Sequence, residues 1–484
     1  MKKVFLIALS VSVLHTLSAQ KSDPYQFKVA NLKDSVVYLA NYYGEKLYYA
    51  DTAKADKNGA FGFSRIKPEK EGKFAVVLPG PKYFEIVIAE GENIKIETDT
   101  TDLVGKLKVL ESENNKLMYS YMTFLTAKRV ERDTLTKQLE ANDGNAAVTA
   151  PLKTRYNALN DEVLAHQRKL VEENPNLFAA REIKMSLEVE PPVELQDDRN
   201  AAYFYYKSHY FDNFDLQDDR IINTPLYHAR LVNYLNKTLI QDPDTISAAL
   251  DKLINKIKPG SEVYKYTVHY ATYNAETSKI MGMDKVFVHM VDTYYKPGLA
   301  FWLDDEKLKT IQEKAGAKRN TLIGKVAPEL ILADSSEKWI STHRDIKNKY
   351  TVLFFYDPDC GHCKKETPKL VEFYNDYKGD VAVYAISSDN DDKWRAFIRK
   401  NEMNFYNVSI PAKAYADSEY ATKLILSGKT TYESLKYNDT FDIFSTPKVF
   451  ILDEKKVIRA KDIGVEQIAA IIDRLEEMNK VASE

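Results

Sequence analysis

Two residues, Cys360 and Cys363, have the type and spacing to do chemistry, and they are the only cysteines among the 484 residues. A disulfide between positions three apart closes a very small loop, so it restricts the unfolded chain far less than a bridge that spans a fold. Stabilisation of the fold by a disulfide is therefore a poor explanation for this pair. The spacing favours redox chemistry, in which two thiols alternate between the reduced and the disulfide form.

The N-terminal residues predict where this chemistry takes place. Lys2 and Lys3 precede an apolar run from Val4 to Leu14, and small residues follow as far as Ala19. This order is typical of a secretory signal peptide, residues 1–19, cut near Ala19; an uncleaved anchor is the alternative. The apolar run is shorter than the roughly 20 residues that a membrane-spanning helix needs. We therefore expect an exported protein of the periplasm or cell envelope, where a partner must reset the cysteine pair.

Composition limits the other functions. A length of 484 residues predicts roughly two to four domains. Because 68 basic and 71 acidic side chains leave a formal charge of -3, the chain lacks the basic excess of nucleic-acid-binding proteins. We therefore expect no nucleic-acid partner.

Short β-prone runs alternate with turn residues from Tyr25 to Thr98. Asn58 and Gly59 form a hairpin signal, and Leu78–Pro81 is a second turn. The spacing predicts an antiparallel β-sandwich of about seven strands in a domain of residues 20–108.

Helical spacing of apolar residues begins near Leu110 and predicts an all-α region over residues 109–320. Its aromatic segment from Tyr203 to Phe211 has two interpretations. Clustered aromatics usually form a core or a domain interface, and the alternative is a groove for a polypeptide partner.

The last segment, residues 321–484, alternates strands with helices and predicts an α/β domain. A strand at Thr351–Tyr356 leads into Cys360 and a helix that reaches about Tyr377. Further motifs stand in order along the segment: Gly324 with Ala327-Pro328, Lys364-Lys365-Glu366-Thr367-Pro368, Tyr384-Ala385-Ile386-Ser387, and Ser445-Thr446-Pro447.

On these motifs, the segment from about Thr321 to Asn479 resembles the thioredoxin superfamily, specifically the exported TlpA/ResA-like thiol-disulfide oxidoreductases. The residues before it resemble the β-rich and uncharacterised helical domains that precede such modules. The resemblance implies a multidomain chain that ends in a thioredoxin-like domain.

This fold would place Cys360 at a helix N-terminus, where free backbone N–H groups stabilise a thiolate. Cys360 would then attack a substrate disulfide, and Cys363, one turn along, would resolve the mixed disulfide. Gly361 and His362 resemble the pair found in protein disulfide isomerases. A charged or hydrogen-bonding His362 would favour the Cys360 thiolate, whereas the carboxylate of Asp359 would oppose it.

Glu366 matches the acid that the family is thought to use for proton exchange at the cysteines, although a solvent-facing role within a charged run is equally open. Phe354 stands where thioredoxin has a buried acid. The resemblance also implies that Pro447 is a cis-proline facing the cysteines and that the backbone of Thr446 binds the substrate chain; a strand-initiating proline is the alternative. Pro368 is expected to kink the active-site helix.

The leading hypothesis is thus an exported thiol-disulfide oxidoreductase, a reductase or isomerase, acting on cysteine-containing exported proteins and reset by an unidentified membrane or periplasmic redox partner. The alternative is a binding or assembly protein that uses the thioredoxin fold as a docking module. A peroxidase is disfavoured because Asp357 replaces the threonine of that pattern. We expect no cofactor and no metal, since zinc lacks further cysteine ligands and Lys364 stands where haem attachment needs histidine.

Overall fold

The computed structural model describes residues 23–65, 71–80, 82–377 and 379–483. The predicted signal peptide lies outside these residues. Across the described ranges, no helix is long and apolar enough to cross a membrane. Packing divides the described chain into two compact units between Tyr234 and Leu235. The boundaries at residues 108 and 320 stay predictions.

The strands are numbered β1 to β15 in chain order: β1 Tyr25–Ala30, β2 Val36–Tyr43, β3 Lys46–Lys54, β4 Ala60–Phe63, β5 Gly72–Leu78, β6 Lys82–Ile88, β7 Ile94–Asp99, β8 Lys108–Glu111, β9 Ile331–Asp334, β10 Trp339–Ser341, β11 Tyr350–Tyr356, β12 Val381–Ser387, β13 Tyr406–Ser409, β14 Lys448–Leu452 and β15 Ile458–Lys461.

The helices are numbered α1 to α17: α1 Glu113–Ala141, α2 Ala146–Glu173, α3 Phe178–Met185, α4 Val193–Gln196, α5 Arg199–His209, α6 Pro225–Asn233, α7 Pro243–Ile254, α8 Glu262–Glu276, α9 Asp284–Met290, α10 Asp305–Arg319, α11 Gly361–Tyr377, α12 Asp392–Lys400, α13 Ala412–Ala416, α14 Ser418–Leu426, α15 Tyr432–Leu435, α16 Tyr437–Thr440 and α17 Ile468–Ser483. Short 3-10 or π-helical turns lie at Asp219–Asn223, Tyr234–Thr238, Val291–Tyr295 and Val465–Gln467.

The N-terminal strands form two four-stranded sheets, in the orders β4-β1-β7-β8 and β3-β2-β5-β6. Both sheets contribute to one buried core. Phe27 and Ile96 come from the first sheet, and Phe74 and Ile86 come from the second. The predicted turn at Leu78 joins β5 to β6, where Leu78 pairs with Lys82.

Two details of the N-terminal prediction are wrong. β1 and β7 are parallel, with Phe27 opposite Ile96, because a long connection, unlike a hairpin, does not force neighbouring strands to be antiparallel. The turn before Gly59 closes with the N–H of Gly59 donating to Asp56, but it does not make a hairpin. β3 pairs with β2 and β4 pairs with β1, so this turn carries the chain from one sheet to the other.

The predicted helical region begins at α1 and ends with α10. Its first helix starts at Ser112, whose hydroxyl accepts the N–H of Asn115 at 3.0 Å. Only the end of the aromatic segment that the sequence singled out is core, since none of the residues of α5 is buried. Tyr210 and Phe211 are buried, whereas Phe204 is exposed.

The C-terminal strands form one seven-stranded sheet in the order β10-β9-β13-β12-β11-β14-β15. β11 lies inside this sheet and is covered on both faces. Val352 and Phe354 pack into a core that includes α11, while Leu353 and Phe355 pack into a second core on the other face. A strand buried on both faces needs continuous apolar residues, which explains the unbroken run at Thr351–Tyr356.

The predicted strands and helices of this sheet occur close to their expected positions. Three strands were not predicted: β9, β10 and β13. They are only three or four residues long, and strands this short carry little periodic signal. The four short helices over residues 412–440 were also not predicted, and they bury Ala414 and Tyr437 against one face of the sheet.

Candidate active site

The loop after β11 places Cys360 at the start of α11. The N–H of Cys360 donates to the carbonyl of Asp357 at 3.1 Å, and the carbonyl of Cys360 accepts the N–H of Lys364 at 3.1 Å. Cys360 therefore caps the helix, and the backbone N–H groups of the first turn are directed toward its side chain.

The two thiols are free and lie in opposite environments. Cys360 is partly exposed, whereas Cys363 has none of its surface exposed. The backbone N–H of Cys363 is the largest of the interactions that hold the pKa of Cys360 below its ordinary value. Burial raises the pKa of Cys363 to about 11. Of the two, Cys360 is thus the accessible and the more readily ionised thiol.

Thr446 lies against the cysteines, and Pro447 follows it. The bond between them is cis, as the resemblance implies. The Sγ of Cys360 donates to the carbonyl of Thr446 at 3.4 Å. Besides the Cys363 amide, a hydrogen bond from the Thr446 side chain lowers the pKa of Cys360. The sequence pointed to the backbone of Thr446 and missed this contribution of its side chain.

Asp359 is neutralised by two lysines. Lys393, on α12, pairs with Oδ2 of Asp359 at 3.1 Å, and Lys364 lies 3.8 Å from Oδ1. Lys393 holds the pKa of Asp359 below its ordinary value. A carboxylate paired with cations and exposed to solvent opposes a neighbouring thiolate weakly. The expected conflict between Asp359 and His362 is therefore reduced.

His362 is exposed on the first turn of α11. Among the smaller influences on Cys360, after the Cys363 amide, the backbone N–H of His362 lowers the pKa of the thiol. This interaction belongs to the peptide group and does not require the imidazole. The sequence argument assigned the effect to the ring because only side chains can be read from a pattern.

Glu366 lies one turn beyond Cys363 with its two carboxylate oxygens in different surroundings. Its Oε1 accepts a hydrogen bond from Lys369 at 2.6 Å. Its Oε2 is buried and has no hydrogen-bond partner among the residues that the structure describes. A buried carboxylate oxygen without a hydrogen-bond partner destabilises the fold. The solvent-facing interpretation therefore fits Oε1 but not Oε2.

Buried aromatic side chains lie on the inner side of the site. Phe354 is fully buried, as is Tyr356 at the end of β11. The hydroxyl of Tyr356 accepts the indole N–H of Trp394 at 2.9 Å. Burial raises the pKa of Tyr356, and the nearby Cys363 raises it further. Pro368 lies within α11 as expected.

The sequence missed Lys393 and Trp394 because both are on α12, more than thirty positions from Cys360. Their spacing on that helix carries no signal of the site, and only the pairing of β11 with β12 brings the helix near. Across the described part of the chain, no group of three or more His, Cys, Asp or Glu side chains is arranged to hold a metal ion.

Comparison with known proteins agrees with this geometry. Residues 323–461 match the AhpC/TSA family, and residues 153–320 match a domain of unknown function, DUF5106. The thioredoxin-like protein YneN of Bacillus subtilis is 29% identical over 142 residues, which are 29% of this chain and 71% of that protein. The thiol-disulfide oxidoreductase ResA of Bacillus cereus is 29% identical over 147 residues, 30% of this chain and 73% of that protein.

Among solved structures, a domain of a possible thiol-disulfide isomerase from Cytophaga hutchinsonii shares 32% identity, covering 33% of this chain and 97% of that chain with a TM-score of 0.27. The residues that match the AhpC/TSA family, 323–461, include the seven-stranded sheet and the cysteine pair. Residues 323–461 of this chain form a thioredoxin-like domain that matches the AhpC/TSA family, and the protein is a thiol-disulfide oxidoreductase whose homologues include ResA and YneN.

Proposed function

We propose that this chain is an exported oxidoreductase that exchanges disulfides with cysteine-containing proteins through Cys360 and Cys363, as a reductase or isomerase. The observation that carries the proposal is the contrast between the two thiols. Cys360 is accessible and its pKa is lowered, chiefly by the Cys363 amide, whereas Cys363 is fully buried. An attacking thiol must meet the substrate, and a resolving thiol needs only to meet the first sulfur.

In the reducing direction, the Cys360 thiolate attacks one sulfur of a client disulfide. A bond forms between Cys360 and that sulfur, and the other client sulfur leaves as a thiolate. Cys363 loses its proton and attacks Cys360, which releases the first client sulfur as a thiolate and forms the Cys360–Cys363 disulfide. Two electrons pass from the protein to the client, and the reverse sequence oxidises a client dithiol.

Glu366 is proposed to take the proton from Cys363 during resolution. Burial raises the pKa of Cys363 to about 11, so this thiol needs a base. Phe354 leaves no acid on the strand beside the site. The support for Glu366 is its buried Oε2, which lacks a hydrogen-bond partner in the described structure and lies one turn along α11 from Cys363.

The client chain is proposed to lie over Thr446 and Pro447, with the Thr446 backbone as its hydrogen-bonding partner. The support is the contact between the Cys360 Sγ and the Thr446 carbonyl, since a client sulfur bonded to Cys360 must enter the same space.

The remaining parts of the proposal concern the whole protein. The N-terminal residues 1–19 direct export to the periplasm or cell envelope, where a membrane or periplasmic redox partner resets the cysteines. The sheets of residues 20–108 stack as a sandwich, and together with the helices of residues 109–320 they position the module or select clients.

The test is turnover of a small disulfide by the purified mature chain across a range of glutathione ratios. We expect reduction at reducing ratios and oxidation of a dithiol peptide at oxidising ratios, both lost in Cys360→Ala. A protein that does neither at any ratio would favour the docking module over the oxidoreductase.

A further inference from the structure

The loop between α16 and β14 presents an unusual pair of phenylalanines. Phe441 is fully buried, but Phe444, three residues later, is 87% exposed. Burial of apolar surface contributes about 25 cal/mol per Å² to the free energy of folding. An exposed phenyl ring lacks this stabilisation. We call residues 442–446 the docking loop.

The docking loop is held firmly at its base. Its first residue, Asp442, has a left-handed backbone, with φ of 56°. The side chain of Lys448 donates to the carbonyl of Asp442 at 2.8 Å, and the N–H of Ile443 donates to the carbonyl of Asn438 at 2.8 Å. These bonds fix the backbone of Asp442 and Ile443, directly before Phe444.

A further bond reaches the loop from a distant helix. Lys318, in the last turn of α10, donates to Oδ2 of Asp442 at 2.5 Å. Asp442 is buried and Lys318 is largely so. An ion pair shielded from solvent in this way has a fixed geometry, and losing one partner leaves a buried charge. The helical region that ends with α10 therefore contacts the segment that leads into Pro447.

The position of Phe444 indicates what would cover it. Thr446, two residues further on, touches the Sγ of Cys360. Two residues of extended chain span about 7 Å, so Phe444 lies within reach of the residues that flank a cysteine bonded to Cys360. The occupant is thus an extended polypeptide joined to Cys360 through its own cysteine.

We propose that Phe444 receives an apolar side chain next to the reacting cysteine of a client polypeptide, and that Lys318 is a positioning residue that holds the docking loop for this contact. This inference rests on the proposed function and adds to it a class of client sequence. Clients with an apolar neighbour to the cysteine would be preferred over clients with a polar one.

The test uses two peptides that carry a single cysteine as a mixed disulfide with glutathione and differ only in the neighbouring residue, leucine or serine. Pre-reduced full-length protein supplies the two electrons in a single turnover. We expect the leucine peptide to react about tenfold faster, which corresponds to about 1.4 kcal/mol. In Phe444→Ser the two peptides should react equally, while the rate with glutathione disulfide stays unchanged.

Met478→Ser is the matched control. Met478 is also an exposed apolar residue, and its neighbour Asn479 contacts Tyr350, at the end of β11 away from Cys360. This variant should keep the preference for leucine. Equal reaction of both peptides with the wild-type protein, or an unchanged preference in Phe444→Ser, would overturn the docking role. Inertness toward glutathione disulfide would overturn the proposed function itself.

For the positioning role, Lys318→Met should lose most of the preference for the leucine peptide without slowing the reduction of glutathione disulfide. Lys318→Arg should keep the preference. Lys314→Met is the control, because Lys314 lies one turn earlier on α10 and pairs with Glu276 at 2.8 Å. Asp442→Asn, which keeps the shape of the side chain, should match Lys318→Met. Full preference in both Lys318→Met and Asp442→Asn would contradict the positioning role.

Discussion

The thiol of Cys360 differs from that of Cys363 because Cys360 stands partly exposed at the start of α11, whereas Cys363, one turn along, is fully buried. Cys360 ends the loop and faces the free N–H groups of α11, chiefly that of Cys363. Cys363 points into the core beneath the sheet. The same side chain is therefore a nucleophile at one position and a protected second thiol at the other.

Replacing His362 in two ways separates the backbone from the imidazole. His362→Pro removes the N–H that helps to lower the pKa of Cys360, so this pKa should rise and the cysteine pair should become more reducing. Proline is tolerated in the first turn of a helix. His362→Ala keeps the N–H and should leave the pKa close to that of the wild type. The pH dependence of Cys360 alkylation measures both, and an equal rise in the two variants would assign the effect to the ring.

Glu366→Gln should slow resolution of the mixed disulfide by about a hundredfold, because the amide cannot accept the proton of Cys363. Lys369→Met removes the partner of Oε1 and leaves the buried Oε2 in place, so it serves as the control and should react almost normally. Rapid mixing with a disulfide that releases a coloured thiol would follow the step. Equal rates in Glu366→Gln and the wild type would leave Glu366 as a surface residue.

At this scale, the sequence could predict which residues meet but not what surrounds them. The cysteine pair and Thr446-Pro447 carry local motifs. The pairing of Asp359 with Lys393 depends on where α12 packs, and the orphaned Oε2 of Glu366 depends on side-chain rotation. Neither has a signal in the spacing of residues.

Among the elements, β11 fixes the position of the cysteines, because the loop that carries them follows a strand whose pairing with its neighbours cannot shift. Its register with β12 on one side and β14 on the other is continuous, from Thr351 to Phe355. A one-residue slip would exchange the two buried faces of the strand. This strand and its following helix were predictable from an apolar run and a helix start. The partners of the N-terminal strands were not, since a turn signal such as Asn58-Gly59 reverses the chain without choosing its neighbour.

Substitution of Gly59 tests the tight packing of the turn that leads the chain from one N-terminal sheet to the other. Its φ is 78°, and an added Cβ would lie 2.0 Å from the carbonyl oxygen of Val29. Gly80 has the same φ of 78°, but an added Cβ there would have no described atom within 4 Å apart from those of its chain neighbours. Gly80→Ala should cost about 1 kcal/mol of unfolding free energy from backbone strain alone. Gly59→Ala should cost about 3 kcal/mol, because the contact adds to the strain. Urea unfolding would measure both, and equal losses would contradict the close approach.

For the molecule as a whole, the unit from Leu235 onward joins helices of the DUF5106 match to the thioredoxin-like sheet. Two ion pairs make this connection, Lys318 with Asp442 and Lys461 with Asp284. Long-range pairs of this kind could not be read from the sequence, because each lysine and aspartate looks like an ordinary surface charge there. The order of the three regions could be read, because each has its own periodicity.

Lys461→Met should destabilise this unit by about 3 kcal/mol, because it leaves the largely buried carboxylate of Asp284 without its cation. The other oxygen of Asp284 already has no hydrogen-bond partner within the described ranges. The double variant Lys461→Met with Asp284→Leu should recover most of the loss, since it removes both charges. Thermal unfolding of the full chain measures the effect, and a double variant as unstable as the single one would show that packing rather than charge is at stake.

The most direct test of the central claim is covalent trapping in the full chain. Cys363→Ala should form mixed disulfides with client proteins that it cannot resolve, and these adducts should disappear on reduction. Cys360→Ala should form none, because the remaining thiol is buried. Non-reducing electrophoresis with mass spectrometry would detect the adducts and identify the clients. Adducts that persist in Cys360→Ala, or that are absent from Cys363→Ala, would contradict the assignment of Cys360 as the attacking thiol.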